Sequence, residues 1–293
     1  TDVWFDEAIH FIEENKDEPF FAFISTNAPH SPYLVADRYK SPYQDNPDIP
    51  EPAFYGMITN IDENFGKLRR TLADLDLEDN TILIFMTDNG QAGSGGRKNG
   101  KGVRMHSAGF KTGKGSQYEG GTHVPAFWRW KGKLGEGVDI PALTAHIDLF
   151  KTFCQLAGAE IPDGIQEIDG RSLLPLLEKP KAEWPDRTLF THKGRWEKGA
   201  DPNKSKLKNC AVRSQRWRLV DNRILYDISA DPYEKKDVAA EHPEVVSRLR
   251  KAYDAWWKKT VPLMVNEEAP YAPQQPQAVR YQEQLKKRGI PDW

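Results

Sequence analysis

Asp88 and Asn89 stand side by side at the end of the apolar run ILIFMT, residues 82–87. A carboxylate and a carboxamide both offer oxygen, the donor that hard cations such as Ca²⁺ or Mg²⁺ prefer. The same dipeptide recurs at 45–46, 79–80 and 221–222, where turns account for it. Only the copy at 88–89 closes the pattern of a buried strand. Two side chains cannot fill a shell of six to eight oxygens, so a metal reading requires further ligands, and a strand-end Asx turn is the other reading. His30 lies in APHSP between Pro29 and Pro32, which stiffen the chain around it. Such an imidazole could donate to an anion or act as a general acid; it could equally be a surface histidine. Lys114 lies in GFKTGKGSQYEGGTHVP, residues 109–125. Gly113, Gly115, Gly120 and Gly121 would let backbone approach a ligand closely, and Lys114 could place its charge on an anionic oxygen. Glu119 could hold that lysine or cap a turn. The alternative is a flexible loop with a solvated lysine.

Two other polar stretches carry less. GGRKNGKG, residues 95–102, nearly matches the phosphate loop G-x-x-x-x-G-K-[ST], but Gly102 stands where a hydroxyl must reach Mg²⁺ and no helical pattern follows. A nucleotide site is rejected, although this loop could rim the Asp88 pocket. Residues 193–208 hold Lys193, Arg195, Lys198, Lys204, Lys206 and Lys208, a solvated hairpin loop or an attractor of acidic polymer.

The elements that must position these groups follow from periodicity. Asp2 is expected to cap a helix over about 3–15, with Ala8, Ile9, Phe11 and Ile12 on its apolar side. FFAFIS, 20–25, reads as a buried strand, and the six prolines of 28–52 as an irregular excursion. Phe54, Ile58, Ile61, Phe65, Leu68, Leu72 and Leu75 mark a long helix, and TILIFMT, 81–87, a second buried strand. VPAFWRW, 124–130, is a further strand candidate, followed by a helix near 144–157 and a short apolar segment, SLLPLL. Apolar strands alternating with helices predict an α/β fold: a mixed, mostly parallel sheet sandwiched by helices, with ligands beyond the carboxyl ends of its strands. From about residue 185, CAVRSQRWRLV and RILYDIS predict a small antiparallel sheet with a turn at Asp221–Asn222. A helix starting at Pro243 packs on it through Val246, Leu249, Tyr253 and Trp256. The division expected is 1–184, 185–260 and an extended tail, 261–293, with one short helix.

The 293 residues suffice for one large domain or two ordinary ones. A formal net charge of −2 gives no global case for nucleic acid or an anionic membrane, and no apolar stretch approaches the ~20 residues of a membrane span. Cys154 and Cys210 cannot form a disulfide framework; Cys154 sits in an apolar helical pattern as an expected buried thiol. The opening TDVWFDEAIHFIEENK is an amphipathic helix rather than a signal peptide.

Together PFFAFISTNAPHSP, TDNG, GKGSQYEGGTHVP, HIDLFKTFCQLAG, DGRSLLPLL and LYDISADPYEKKDVAAEHPEVVSRL resemble, in order and spacing, the C-terminal two-thirds or so of a sulfatase of the alkaline-phosphatase-like superfamily. The resemblance covers the chain to about residue 260. It implies a sulfuric ester hydrolase, arylsulfatase-like or acting on a carbohydrate. Asp88 and Asn89 would be two of four protein ligands of one Ca²⁺. His30 and Lys114 would be the catalytic groups that contact the sulfate, with His30 assisting departure of the alcohol. It also implies a sulfate-ester small molecule or sulfated glycan as substrate, and a periplasmic or secreted location. The family's formylglycine motif, [CS]-x-P-x-R, occurs nowhere in this chain, nor do its Asp-Asp pair and its GKWHLG-like stretch. His123 stands where the family often has Arg. This chain alone is therefore expected to be inactive, and to expose apolar strand edges where the family's first strand belongs. A phosphodiesterase or phosphonate hydrolase, whose members often have Asp-His where this chain has Asp-Asn, and a non-catalytic anion-binding pseudoenzyme are the alternatives.

Overall fold

Helix α1 (Asp2–Glu14) buries Phe5, Ile9 and Ile12 against Leu68 and Leu72 of α3 (Pro52–Asp74). The protein is described by a computed structural model that defines residues 1–92, 97–98, 101–102, 106–165, 167–194, 196–197 and 199–264, with 279–280, 282–283 and 286–287 of the tail. Arg195, Lys198, half of the GGRKNGKG loop and most of the tail expected from 261 lie outside the described residues. No helix of the described residues is long and apolar enough to cross a membrane.

Asp2 is the first residue of α1 and not its cap; Thr1 holds that position. The Asp2 carboxylate instead accepts from the Asn60 and Asn64 side chains at 2.8 and 2.6 Å. The Asn64 bond is the main cause that holds the Asp2 carboxyl below its usual pKa, against partial burial. The buried face of α3 accordingly differs from the stripe expected. Met57, Asn60 and Asn64 face inward, while Ile58 is exposed. The polar pair is tolerable inside because Asp2 satisfies both amides.

The segment 20–25 alternates inward and outward as a strand does, with Phe20 and Ile24 on the core and Phe21 and Phe23 exposed at 68% and 81%. It is not a strand, however, since it has no ladder partner among the described residues. The prolines of 28–52 do not exclude order either, for α2 (Asp37–Gln44) forms there and packs on α3. Strand β1 (Leu83–Met86) pairs antiparallel with β4 (Ala126–Arg129), from Leu83↔Arg129 to Met86↔Ala126. A two-residue ladder, β2 (Arg97–Lys98) and β3 (Lys101–Gly102), lies between them in sequence. The mostly parallel sheet is thus absent among the described residues, whose ladders are all antiparallel. Segment 20–25, read as its first strand, makes no ladder among the described residues.

Beyond the single-turn α4 (Glu119–Thr122), α5 (Asp148–Ala157) ends at Gly158, whose φ of +63° closes the helix in the left-handed conformation. The short α6 (Leu174–Glu178) follows. The second sheet runs β5 (Leu189–His192), β6 (Cys210–Arg213), β7 (Trp217–Val220), β8 (Ile224–Asp227), all antiparallel. Asp221 and Asn222, at φ +46° and +60°, make the β7–β8 turn as expected, being residue types that accept positive φ. One sheet face, with Cys210, Val212, Trp217, Leu219 and Leu225, packs on Val246, Leu249, Tyr253 and Trp257 of α7 (Pro243–Met264). The other carries Ala211, Val220 and Tyr226, against which Tyr118 packs. Both cysteines are free; Cys154 is only half-buried, and burial raises the Cys210 thiol to about 11.

The link between α5 and the second sheet is a buried ion pair. Asp148 is fully buried and accepts from Ala145 N and Arg171 N at 2.8 Å and from Arg187 Nη1 at 2.8 and 3.0 Å. Gly170 allows this close approach, since a Cβ there would fall 1.9 Å from Ile147 O. Arg187→Met leaves the Asp148 charge short of its counter-ion and is expected to cost about 3–5 kcal/mol in urea unfolding. Lys259→Ala, which breaks a solvent-screened pair with Glu167, should leave urea unfolding nearly unchanged. Equal losses would show that the Asp148 pair is not a stability determinant.

Candidate functional site

Asp88 and Asn89 leave β1 in a turn bonded within itself. Thr87 Oγ1 donates to Asn89 O at 3.2 Å, and Asn89 Nδ2 donates to Gly90 O at 2.9 Å. With its nitrogen so used, Asn89 keeps Oδ1 as an acceptor. Asp88 is exposed, and no group among the described residues pairs with its carboxylate. The two therefore present oxygen donors suited to a hard cation. No three His, Cys, Asp or Glu groups gather into a metal site among the described residues. His146, which motif reading passed over, donates Nε2–H to Thr87 O at 2.8 Å and ties the approach to α5 to the residue before Asp88.

The structure brings Lys114 to this turn through backbone. Gly90 N donates to Gly121 O at 3.0 Å and Lys114 N to Gln91 O at 2.7 Å. The contact is so close that a Cβ on Gly90 would lie 1.9 Å from Gly120 O. Within the loop, Gly120 N donates to Lys111 O and Ser116 N to Gly113 O, at 3.2 and 3.1 Å. Cβ atoms on Gly120 and Gly121 would fall 2.4 Å from Lys111 O and Ser116 O. These two glycines serve the loop's packing on itself rather than approach to a ligand. Gly115, at φ +79°, is in open space.

Glu119 neither holds Lys114 nor caps a turn with its side chain. It is buried and meets Arg218 Nη2, Arg213 Nε at 3.1 Å and His123 Nδ1 at 2.8 Å. Burial pushes its pKa upward, but the His123 hydrogen bond and the Arg218 and Arg213 charges outweigh this and set it well below the usual range. Glu234 is fully buried and lies on the other side of Arg218. Its Oε2 accepts from Glu119 N at 3.0 Å; its Oε1 is 3.2 Å from Arg218 Nε but off the N–H direction, an ion pair without a hydrogen bond. Burial raises the Glu234 pKa, with Arg218 opposing. Lys111 donates Nζ–H to Tyr226 OH and Glu234 O at 2.9 and 3.3 Å. Sequence reading missed Arg218 and Glu234 because each lies more than 90 residues from its partner in the loop.

His30 stands in a turn closed by His30 N donating to Asn27 O at 2.9 Å. Its Nδ1 lies 2.7 Å from Ser31 O, which can only accept, so the proton is on Nδ1 and Nε2 is free. None of the described hydrogen bonds or ion pairs joins His30 to Asp88, Asn89 or Lys114.

Comparison with known proteins places these pieces. The sequence profile of the Sulfatase family matches residues 1–159, and that of N-sulphoglucosamine sulphohydrolase, C-terminal, matches 112–258. An N-acetylgalactosamine-6-O-sulfatase of Bacteroides thetaiotaomicron is 31% identical over 267 residues, covering 85% of this chain and 49% of that protein. The crystal structure of Ps i-CgsB in complex with k-i-k-neocarrahexaose superposes with a TM-score of 0.73 at 27% identity, over 98% of this chain and 60% of that one. A phosphonate monoester hydrolase of Agrobacterium radiobacter shares the fold at a TM-score of 0.59 and 21% identity, over 92% of this chain and 64% of that one. The chain spans about half the length of the first of these relatives.

Two outcomes follow from this geometry. Gly90→Ala forces the Asp88 turn away from Gly120 and should lower stability by about 1–3 kcal/mol, whereas Gly66→Ala on α3, where a Cβ meets only Arg70 Nη1 at 3.5 Å, should be neutral or stabilising. Equal thermal shifts would contradict the close contact. Glu119 has a depressed pKa, so its contribution is full above the ordinary carboxylate value of 4.5 and is lost as pH falls toward its lower folded value. Glu234, with a raised pKa, contributes in the opposite sense and weakens the fold as pH rises through its folded value. Urea unfolding from pH 6 down to 3 should therefore show a shallower loss of stability in Glu119→Gln than in the parent; an unchanged slope would contradict this.

Proposed function

The chain belongs to the sulfatase family, and on that premise we propose that it supplies half of the site of a sulfuric ester hydrolase that converts a sulfate ester and water to an alcohol and sulfate. The observation that carries this reading is the pair of backbone bonds, Gly90–Gly121 and Lys114–Gln91, that seat a cationic loop against the oxygen donors of exposed Asp88 and half-buried Asn89. An anionic ester needs cationic contacts on its oxygens as charge moves to the leaving oxygen. Lys114 Nζ donates to one such oxygen. His30 holds one proton on Nδ1 against Ser31 O, so it assists the departing alcohol as the imidazolium, passing its second proton from Nε2 to the leaving oxygen. Asp88 and Asn89 would hold Ca²⁺, which when bound draws electron density from the sulfate oxygens.

The remaining ligands and the formylglycine nucleophile lie, on this reading, in residues other than these 293. Two features support it. The chain spans about half of its relatives, and Phe21 and Phe23 are exposed at 68% and 81% on a segment without a ladder partner among the described residues. A strand added beside 20–25 would pair its unpartnered backbone and complete a mixed sheet of the mostly parallel kind. The substrate proposed is a sulfated glycan. Support comes from the relative named for N-acetylgalactosamine 6-O-sulfate and from the neocarrahexaose complex of Ps i-CgsB.

Turnover of the full-length protein on sulfate and phosphate esters of the same alcohol tests the proposal. Sulfate should be preferred, and Lys114→Ala should lower kcat/KM on it by about 100-fold. The 293 residues alone should release no sulfate. Preference for the phosphate ester, or sulfate release by the 293 residues alone, would overturn the reading.

A further inference from the structure

Lys114 sits between Gly113 and Gly115, the least constrained surroundings a chain can give it. Its side chain is exposed and no described group holds it, so its place is set by its backbone. That backbone is fixed at its tip by Gln91 O and at its base by the closure of Gly120 on Lys111. The base in turn is held from the second sheet by Arg213 on Glu119, by Tyr226 on Lys111 and, at three points, by Arg218. Arg218 of β7 is buried on the face opposite α7. Its Nη1 donates to Gln117 O at 2.5 Å, and its Nη2 to Glu119 Oε1 and to Thr122 Oγ1, the last at 3.1 Å. Glu234 balances the remaining side of the guanidinium and accepts from Glu119 N. Three consecutive donors thus span residues 117–122, the stretch that includes the Gly120–Gly121 contact with Gly90. A planar fork can fix such a stretch in one arrangement, which a point charge cannot.

We propose that Arg218 is a positioning residue: acting through Gln117, Glu119 and Thr122, it sets where the loop presents Lys114 beside Asp88 and Asn89. The proposal rests on the reading of Lys114 as an ester-binding group only for its consequence in turnover. The placement itself is testable without substrate.

Amide hydrogen exchange on the full-length protein reads the placement. In Arg218→Met, the amides of Lys114 and Gly90, the two that close the contact, should exchange about tenfold faster, while those of Leu68 and Leu72 in α3 keep their rates. Arg218→Lys keeps the charge and should restore little of the protection. Unchanged rates at Lys114 and Gly90, or a uniform acceleration everywhere, would overturn the proposal. Should Arg218→Met fail to fold, Glu119→Gln, which keeps shape and one acceptor, should show the same local acceleration to a smaller degree; its absence would overturn the proposal equally. In turnover, the Arg218→Met Lys114→Ala double variant should be no slower than Lys114→Ala alone, whereas multiplied losses would show that Arg218 acts independently of Lys114. If Lys114→Ala leaves sulfate-ester turnover unchanged, the functional reading of Lys114 falls while the exchange rates still decide the positioning.

Discussion

A guanidinium enclosed by two carboxylates is the interaction on which the arrangement of this protein depends. Arg218 lies between Glu119 of the glycine-rich loop and Glu234 of the turn after β8. Removing three charges from water is expensive, and their mutual attraction repays this only with good geometry. A well-packed apolar cluster could deliver equal stability. It would tolerate sliding, however, and the ion cluster does not, because both Nη nitrogens of Arg218 donate to fixed acceptors. The sheet that carries Arg218 is apolar toward α7, while its other face carries Arg213, paired with Arg218 in register, beside Ala211, Val220 and Tyr226. Two arginines on that face, both bonded to Glu119, fix the register of the loop that covers it.

From that anchor the site is built by glycine. Backbone contacts at Gly90, Gly120 and Gly121 are closer than any side chain permits. They bring together the end of β1 and the lysine loop, which no side-chain contact holds. His146 on Thr87 O adds a third constraint from the approach to α5. The Asp88 turn and the lysine loop are therefore held together through backbone, while the side chains of Asp88 and Lys114 stay exposed. The helical layer contributes less directly: α1 and α3 support β1 through Leu83.

Much of this was legible in the residues. The strand ending in Asp88, the turn at Asp221–Asn222, the small antiparallel sheet and its covering helix follow from periodicity and turn chemistry, which are local. The apolar stripe of α3 was legible in outline only. Asn60 and Asn64 are inside because Asp2 satisfies them, and no pattern within α3 records a partner about 60 residues away. The same limit applies to Glu119. Its sequence neighbours offered Lys114 as a partner, while the fold supplied arginines from β6 and β7. FFAFIS has the composition of a buried strand and the alternation of one, yet strand formation needs a neighbour, and composition does not supply it.

The central claim is that Asp88, Asn89 and Lys114 form one face of a cation and sulfate-ester site. A crystal structure of the full-length protein with Ca²⁺ and a sulfate ester tests it most directly. The account predicts Asp88 and Asn89 Oδ1 at about 2.3–2.6 Å from the cation and Lys114 Nζ within hydrogen-bond distance of a sulfate oxygen. A cation bound elsewhere, or an ester bound with Lys114 turned to solvent, would contradict it.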